Sequence, residues 1–214
     1  MEKNLVDHSV VIINTGVNPS SFNSYWLVTN GILKEEELSN EHVFTNQVAE
    51  INGNQFGLII TGNSFQIRTK TDIMNLGKCI NDKLEKIIDA VNNTIYISVG
   101  INFNWIIDVE GTDFKKLSKD LFFKENSDLF NYFNKDDATF GSYLSMDFED
   151  ARLKLDIKPV YLHQDLMEKK GGIHFNFNFH YDIPENNRID SLKKFINKWN
   201  TFYLEASKII DSLK

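Results

Sequence analysis

The clearest pattern in the chain is an alternation of apolar and polar residues over 95–108. The apolar positions are Ile95, Ile97, Val99, Ile101, Phe103, Trp105 and Ile107. The positions between them are Tyr96, Ser98, Gly100, Asn102, Asn104, Ile106 and Asp108, so Ile106 is the one exception. A period of two is typical of a strand with one face in the core. The segment is therefore predicted to form one long strand with a second, largely polar face.

A second segment, 173–183, follows the same pattern. Its predicted core positions are Ile173, Phe175, Phe177, Phe179 and Tyr181, and its opposite face carries His174, Asn176, Asn178, His180 and Asp182. Other strands are predicted at 10–13, 43–51, 55–61, 64–69, 142–149 and 152–163. In 142–149, the side chains of Leu144, Met146 and Phe148 are expected to point inward. Pro159 marks 152–163 as an edge strand or a bulge, because proline donates no ladder hydrogen bond.

Helical spacing of apolar residues alternates with these strands. It predicts a helix over 73–91, two short helices at 113–123 and 127–134, and one long amphipathic helix from Ile189 to Leu213. The last would extend for about 38 Å at 1.5 Å per residue.

Groups of strands followed by helices that can cover them indicate an α+β fold. We expect an antiparallel sheet, or sheets, of about seven to eight strands, covered by amphipathic helices and completed by the long C-terminal helix. The chain has only three prolines and no proline-rich linker, so residues 1–214 are expected to form a single domain. Two similar halves, about 1–110 and 111–214, remain an alternative.

Charge and composition limit the classes of partner. The chain has 23 Lys and Arg against 30 Asp and Glu, a net charge of −7, and no basic run longer than two residues. Nucleic-acid binding is therefore not expected, because its affinity comes mainly from neutralising phosphates, and an anionic membrane is disfavoured for the same reason. Cys79 is the only cysteine, so no internal disulfide can form. We expect a cytoplasmic protein, because the N-terminus has no stretch of signal-peptide length and no apolar run approaches the span of a bilayer.

Metal-ligating residue types occur on the strand 173–183. His180 and Asp182 are two residues apart on one face, with Asp147 and Glu149 as the nearest acidic neighbours in the preceding strands. His174 lies roughly 20 Å from His180 along an extended strand, too far to share an ion. His180 and Asp182 are thus a weak candidate, and neither a metal nor a cofactor is favoured.

The polar faces of the two long strands are the best candidates for a ligand or partner surface. Their residues are Tyr96, Ser98, Asn102, Asn104, His174, Asn176, Asn178 and His180. Such a surface would be uncharged and rich in hydrogen-bonding groups, which suits a small polar ligand, a sugar or a peptide. A face covered by another segment or a partner is the more expected outcome for this pattern, and a simply solvated face more expected still. No nucleophile motif or phosphate-binding loop is present, so no catalytic residue is predicted.

The layout resembles a sporadically distributed family of uncharacterised bacterial proteins. Residues 56–67, the helix ending at Val91, the segment Val99–Ile107 and the helix from Phe195 to Leu213 carry the resemblance. Trp105 stands where members of that family often have arginine. The family has no established activity, so the resemblance implies a fold and a bacterial source and no function.

These observations favour a non-enzymatic binding or interaction protein, with an unknown protein or a small polar ligand as its partner. An accessory or immunity-type factor is one form of this hypothesis. Two alternatives stay open: a metal-dependent, hydrolase-like enzyme using His180, Asp182 and acidic neighbours, and a self-assembling homodimer formed through the C-terminal helix or an edge strand.

Overall fold

The computed structural model describes residues 2–53, 56–69, 76–109, 113–123, 128–135, 137–162 and 170–213. Within these ranges the chain forms nine strands and five α-helices. The strands are β1 (Glu2–Asn14), β2 (Leu38–Phe44), β3 (Val48–Gly53), β4 (Phe56–Thr61), β5 (Ser64–Thr69), β6 (Tyr96–Asp108), β7 (Ser142–Phe148), β8 (Ala151–Leu162) and β9 (Lys170–Asp182). The helices are α1 (Ser24–Thr29), α2 (Leu76–Ala90), α3 (Phe114–Phe122), α4 (Arg188–Ile196) and α5 (Trp199–Ser212). None of these helices is long and apolar enough to cross a bilayer.

The described strands form a single antiparallel sheet in the order β2-β3-β4-β5-β1-β6-β9-β8-β7. The predicted α+β class is confirmed, but the expected count of seven to eight strands is too low. The predicted strand 43–51 is in fact part of two strands, β2 and β3, joined by a turn. The Thr45 hydroxyl oxygen accepts hydrogen bonds from the N–H groups of Gln47 and Val48, at 3.2 and 3.0 Å. Neither glycine nor proline marks this turn, so the sequence pattern did not reveal it.

The two edges of the sheet are β2 and β7. Of the two alternatives predicted for 152–163, the edge strand is wrong, because β8 lies between β9 and β7, and the bulge stays a prediction. Ser142, the first residue of β7, pairs with Ile157 of β8. Pro159 lies beyond that pair, where β7 offers no partner, so its missing N–H costs no hydrogen bond on that side.

The chain divides into two compact units, each built from separate segments. The first unit comprises Met1–Val6 and Phe103–Asn178, and the second comprises Asp7–Asn102 and Phe179–Lys214. Their boundaries fall inside β1, β6 and β9. The expectation of one domain, with two similar halves as its alternative, stays a prediction.

The core of the second unit lies between its strands and α2. Val10 pairs with Ile67 and Ile12 with Phe65 across β1 and β5, and all four side chains are buried. Helix α2 packs against β5. Its buried apolar positions follow helical spacing: Ile80, Leu84, Ile87 and Ile88. The predicted helix 73–91 is confirmed for the part that the structure describes.

The predicted long C-terminal helix is broken into α4 and α5 at Asn197 and Lys198. Asn81 of α2 donates from its amide to the Ile196 carbonyl, at 3.0 Å. The amide of Asn197 in turn donates to Glu85, at 2.7 Å. The end of α4 is thus bonded by side chains of α2 instead of continuing its own ladder, a cause that periodicity cannot detect.

The first unit contains the β7–β8 hairpin and α3. A two-residue turn, Glu149–Asp150, joins the strands, with Glu149 at φ 50°. Helix α3 packs against β8 and confirms the predicted helix at 113–123. The helix predicted at 127–134 is a short 3-10 turn, Asp128–Asn131. Phe123, Phe130 and Phe140 form an aromatic cluster beside it.

Candidate functional site

The alternation of buried and exposed residues along β6 differs between its two ends. Ile101, Phe103, Trp105 and Ile107 are buried, as predicted. Ile97 is 44% exposed, however, while Tyr96 and Ser98 on either side of it are buried. The prediction that Ile95 and Ile97 face the core is therefore wrong. Positions 98–101 are all buried, so the alternation of burial is interrupted there: Tyr96 and Ser98 are buried, whereas Asn102 and Asn104 are half-buried.

Tyr96 is used inside the second unit. Its hydroxyl donates to the carbonyls of Val91 and Ile88 at the end of α2, at 3.1 and 3.4 Å. Burial raises the pKa of this hydroxyl, and the nearby charge of Asp89 raises it further. Tyr96 thus connects α2 to β6 as a neutral phenol with little surface for a ligand.

Two of the predicted polar residues meet in the first unit. Nε2 of His174 donates to the side-chain oxygen of Asn104, at 3.1 Å, and both residues are half-buried. Burial lowers the pKa of His174, the positive charge of Lys158 lowers it further, and Asp156 opposes the shift. The imidazole is therefore neutral at pH 7, with one nitrogen engaged by an amide. This pair suits hydrogen-bond recognition better than proton transfer.

Asn176 and Asn178 follow His174 on the same side of β9, and both are half-buried. The side-chain oxygen of Asn176 is buried and has no hydrogen-bond partner among the described residues. A buried acceptor of this kind is uncommon in folded proteins. The polar side of β9 in the first unit therefore retains one hydrogen-bonding group that the described residues do not satisfy.

The remaining predicted residues lie in the second unit. The amide of Asn102 donates to the Ser9 hydroxyl over a long 3.4 Å. Nε2 of His180 donates to the carboxylate of Asp182, at 3.0 Å, and Asp182 is fully open to water. No group of three or more metal-ligating residues occurs in the part of the chain that the structure describes. Asp147, one of the predicted acidic neighbours, lies in the first unit and accepts a hydrogen bond from Arg152, at 2.9 Å.

A shallow cleft of about 320 Å³ opens in the second unit, between the loop after β1, helix α1 and the end of α2. Its lining includes Trp26, Phe22, Asn18, Asn93 and Thr94, and none of its lining residues is charged. An uncharged cleft offers little to an anion and suits a neutral polar molecule.

The most exposed apolar surface of regular structure in the first unit is β7, which the sequence predicted to be partly buried. Tyr143, Leu144 and Met146 are 62%, 51% and 45% exposed. The prediction that Leu144 and Met146 point into the core is wrong. Leu144 and Met146 lie on the same sheet face as their partners on β8, Leu155 and Leu153. That face is buried at β8 and exposed at β7. Period two identifies the apolar face of a strand and gives no information on how far a helix covers it.

The outer edge of β7 carries backbone groups that no strand of the described residues pairs. Phe148 and Ala151 close the two-residue turn, so they form a hydrogen-bonded pair. Hydrogen-bonded and non-hydrogen-bonded pairs then alternate along an antiparallel ladder. The N–H and C=O groups of Tyr143, Ser145 and Asp147 therefore point away from β8, and no strand of the described residues lies beyond them.

The usual protections of an edge strand are missing from β7. Natural edges are shielded by lysine, proline, a bulge or an extreme shortness. Strand β7 has seven residues, no proline, no lysine and one charged residue, Asp147. Its register with β8 is regular from Ser142 to Phe148, so no bulge interrupts it. Strand β7 is therefore an edge of regular register, with exposed apolar side chains on one side, that is suited to pairing with another strand.

No family model and no curated protein matches this sequence, so its resemblance to the sporadically distributed bacterial family stays a prediction.

Proposed function

We propose that this chain is a non-enzymatic interaction protein that accepts an extended strand of a partner polypeptide along β7. The observation that carries the proposal is the combination of unpaired backbone groups and exposed apolar side chains on one edge. Main-chain hydrogen bonds would supply affinity, and the side chains on alternate positions would supply selectivity. Leu144 and Met146 extend the apolar face of Leu155 and Leu153, so an added strand with apolar residues at alternate positions would continue the same layer.

The chemistry of the polar side favours the same role. Tyr143, Ser145 and Asp147 lie opposite Asp156, Lys154 and Arg152 of β8. An added strand would therefore meet one carboxylate and two neutral hydrogen-bonding groups on this side. The Asp147 carboxylate is already paired with Arg152, at 2.9 Å, so this side favours a neutral segment.

A selection from random peptides of strand length, with the full-length protein as bait, tests the proposal. We expect enriched peptides that have apolar residues at every second position. Leu144→Lys should abolish their binding, because it places a charge within the apolar layer. Leu204→Lys is the matched control, since Leu204 of α5 is 57% exposed and lies on a helix. Peptides without this period, or equal effects of the two substitutions, would refute the proposal.

The alternative of a metal-dependent enzyme has the His180–Asp182 pair as its support. Thermal melting with and without divalent ions tests it separately, because a bound ion stabilises the folded state by mass action. If divalent ions raise the melting temperature of the wild type but not of His180→Gln, this alternative is supported.

A further inference from the structure

We infer that the partner strand at β7 is β7 of a second copy of this chain, paired antiparallel about a two-fold axis at Ser145. This inference rests on the proposed function and names the partner of the same edge. In this register Ser145 faces Ser145, Tyr143 faces Asp147, and Leu144 faces Met146. It is the register in which all seven residues of β7 have a partner.

The backbone geometry fits this axis. The residues with outward N–H and C=O groups are Tyr143, Ser145 and Asp147, and they are symmetric about Ser145. A two-fold pair therefore matches every outward donor with an outward acceptor. The hydrogen-bonded pairs would be Ser145 with Ser145 and Tyr143 with Asp147, the latter occurring twice.

The side chains are complementary in the same register. Leu144 and Met146 would occupy non-hydrogen-bonded positions, where cross-strand side chains approach most closely. Each Leu144 would pack against a Met146, so two apolar pairs would cover the side that is now exposed. The two apolar layers would join without a gap at the new strand pair.

Charge argues against one alternative register. Asp147 is the one charged residue of β7, and a two-fold axis at Asp147 would place two carboxylates opposite each other. An axis at Ser145 instead sets each carboxylate opposite the Tyr143 hydroxyl, which can donate a hydrogen bond to it. Like-charge repulsion therefore disfavours the register centred on Asp147, and the pairing of all seven residues favours the one centred on Ser145. An isologous contact of this type closes on itself as a dimer and does not propagate into a fibre.

Sedimentation velocity over a range of concentrations tests the second copy directly. We expect reversible dimers with a dissociation constant in the micromolar range, since a strand pair of this length makes a small interface. Ser145→Lys should weaken dimerisation at least tenfold, because it brings two ammonium groups together at the axis. Ser145→Thr should leave dimerisation intact, because it keeps an uncharged hydroxyl at the same position.

Disulfide trapping tests the register even if a charged variant folds poorly. In a Cys79→Ala background, Ser145→Cys should form a crosslinked dimer on mild oxidation, since paired Cα atoms would lie about 5.5 Å apart. Tyr143→Cys alone should not crosslink, but a mixture of Tyr143→Cys and Asp147→Cys chains should. Crosslinking of Tyr143→Cys alone would overturn the register.

The outcomes separate the inference from the proposed function. A monomer that binds selected peptides at β7 would overturn the second copy and retain strand addition. A dimer that Leu204→Lys disrupts and Ser145→Lys does not would overturn the inference in favour of an interface on α5. A monomer that binds no peptide would overturn both.

Discussion

Leu144 lies directly opposite Leu155 in the β7–β8 hairpin, yet Leu155 is 5% exposed and Leu144 is 51% exposed. The two side chains point to the same side of the sheet and differ only in their strand. Since burial depends on what lies above each strand, the apolar layer ends between them. This discontinuity is the physical basis for regarding β7 as an interaction edge.

The first prediction concerns the stability of the isolated chain. Leu155→Ala should lower the free energy of unfolding by about 2–5 kcal/mol, because it opens a cavity in the core. Leu144→Ala should cost less than about 1 kcal/mol, since much of that side chain is already in water. Urea unfolding at low protein concentration measures both. Equal costs would mean that Leu144 is buried in solution and that the edge is covered.

Tyr96 is predicted to contribute to stability and not to binding at β7. Tyr96→Phe removes the hydroxyl that donates to Val91 and Ile88, leaving buried carbonyl groups less well satisfied. The expected loss is about 1–2 kcal/mol of unfolding free energy in urea titrations. Tyr132→Phe serves as the control, because Tyr132 is largely exposed. If Tyr96→Phe weakens peptide binding at β7 without a change in stability, this assignment is wrong.

His8 is predicted to make the fold sensitive to mild acid. It is buried, its ring contacts Trp199, and the Thr69 hydroxyl oxygen lies 2.7 and 2.8 Å from its two ring nitrogens. Burial lowers the pKa of His8 from 6.5 to about 4. Between those values the unfolded chain binds a proton that the folded chain does not, so stability falls as the pH falls. The full loss is about 3 kcal/mol and is complete below pH 4.

Unfolding free energies from pH 7 to pH 4 compare the wild type with His8→Gln. The variant should lose less stability over this interval, because glutamine does not titrate and still offers Thr69 a hydrogen-bond partner. The other titrating groups, such as His174, are present in both proteins, so their contribution cancels in the difference between the two curves. If the unfolding free energies of the two proteins fall equally with pH, protonation of His8 does not destabilise the fold and the prediction is wrong.

The two partners of the Lys83–Glu37 ion pair are predicted to differ in the stability that is lost when each is replaced. The Lys83 ammonium is nearly buried, 2.7 Å from the Glu37 carboxylate and 3.3 Å from the Ile32 carbonyl, whereas Glu37 is partly exposed. Glu37→Gln should therefore destabilise by about 3 kcal/mol, because a buried charge loses its counter-ion. Lys83→Met should cost less, since the remaining carboxylate can reach water. Denaturant unfolding of both variants measures the order, and the reverse order would contradict the burial of Lys83.

Local sequence patterns predicted those parts of the fold that local rules determine. The alternation of Ile101, Phe103 and Trp105 correctly indicated a buried strand face, and the spacing of Ile80, Leu84 and Ile87 correctly indicated a helix. Both signals come from neighbouring residues on one element. They do not depend on which other element packs against it.

The errors arose where a distant residue decides the outcome. The side-chain amide of Asn81 donates a hydrogen bond to the Ile196 carbonyl, 115 positions away in sequence. This bond lies where the helix that periodicity predicted as continuous is interrupted. Tyr96 was assigned to a polar face, but the end of α2 buries it. The candidate edge was missed for the same reason, because Leu144 and Met146 have the pattern of a buried strand and lack only a cover.

Residue-resolved amide hydrogen exchange along β7 shows whether its outward backbone groups pair with another strand. At low protein concentration, the amides of Leu144 and Met146 should be protected by β8, and those of Tyr143, Ser145 and Asp147 should exchange freely. Raising the protein concentration, or adding a selected peptide, should protect those three outward amides. Free exchange of all three under both conditions would contradict the account, since β7 would then pair with nothing.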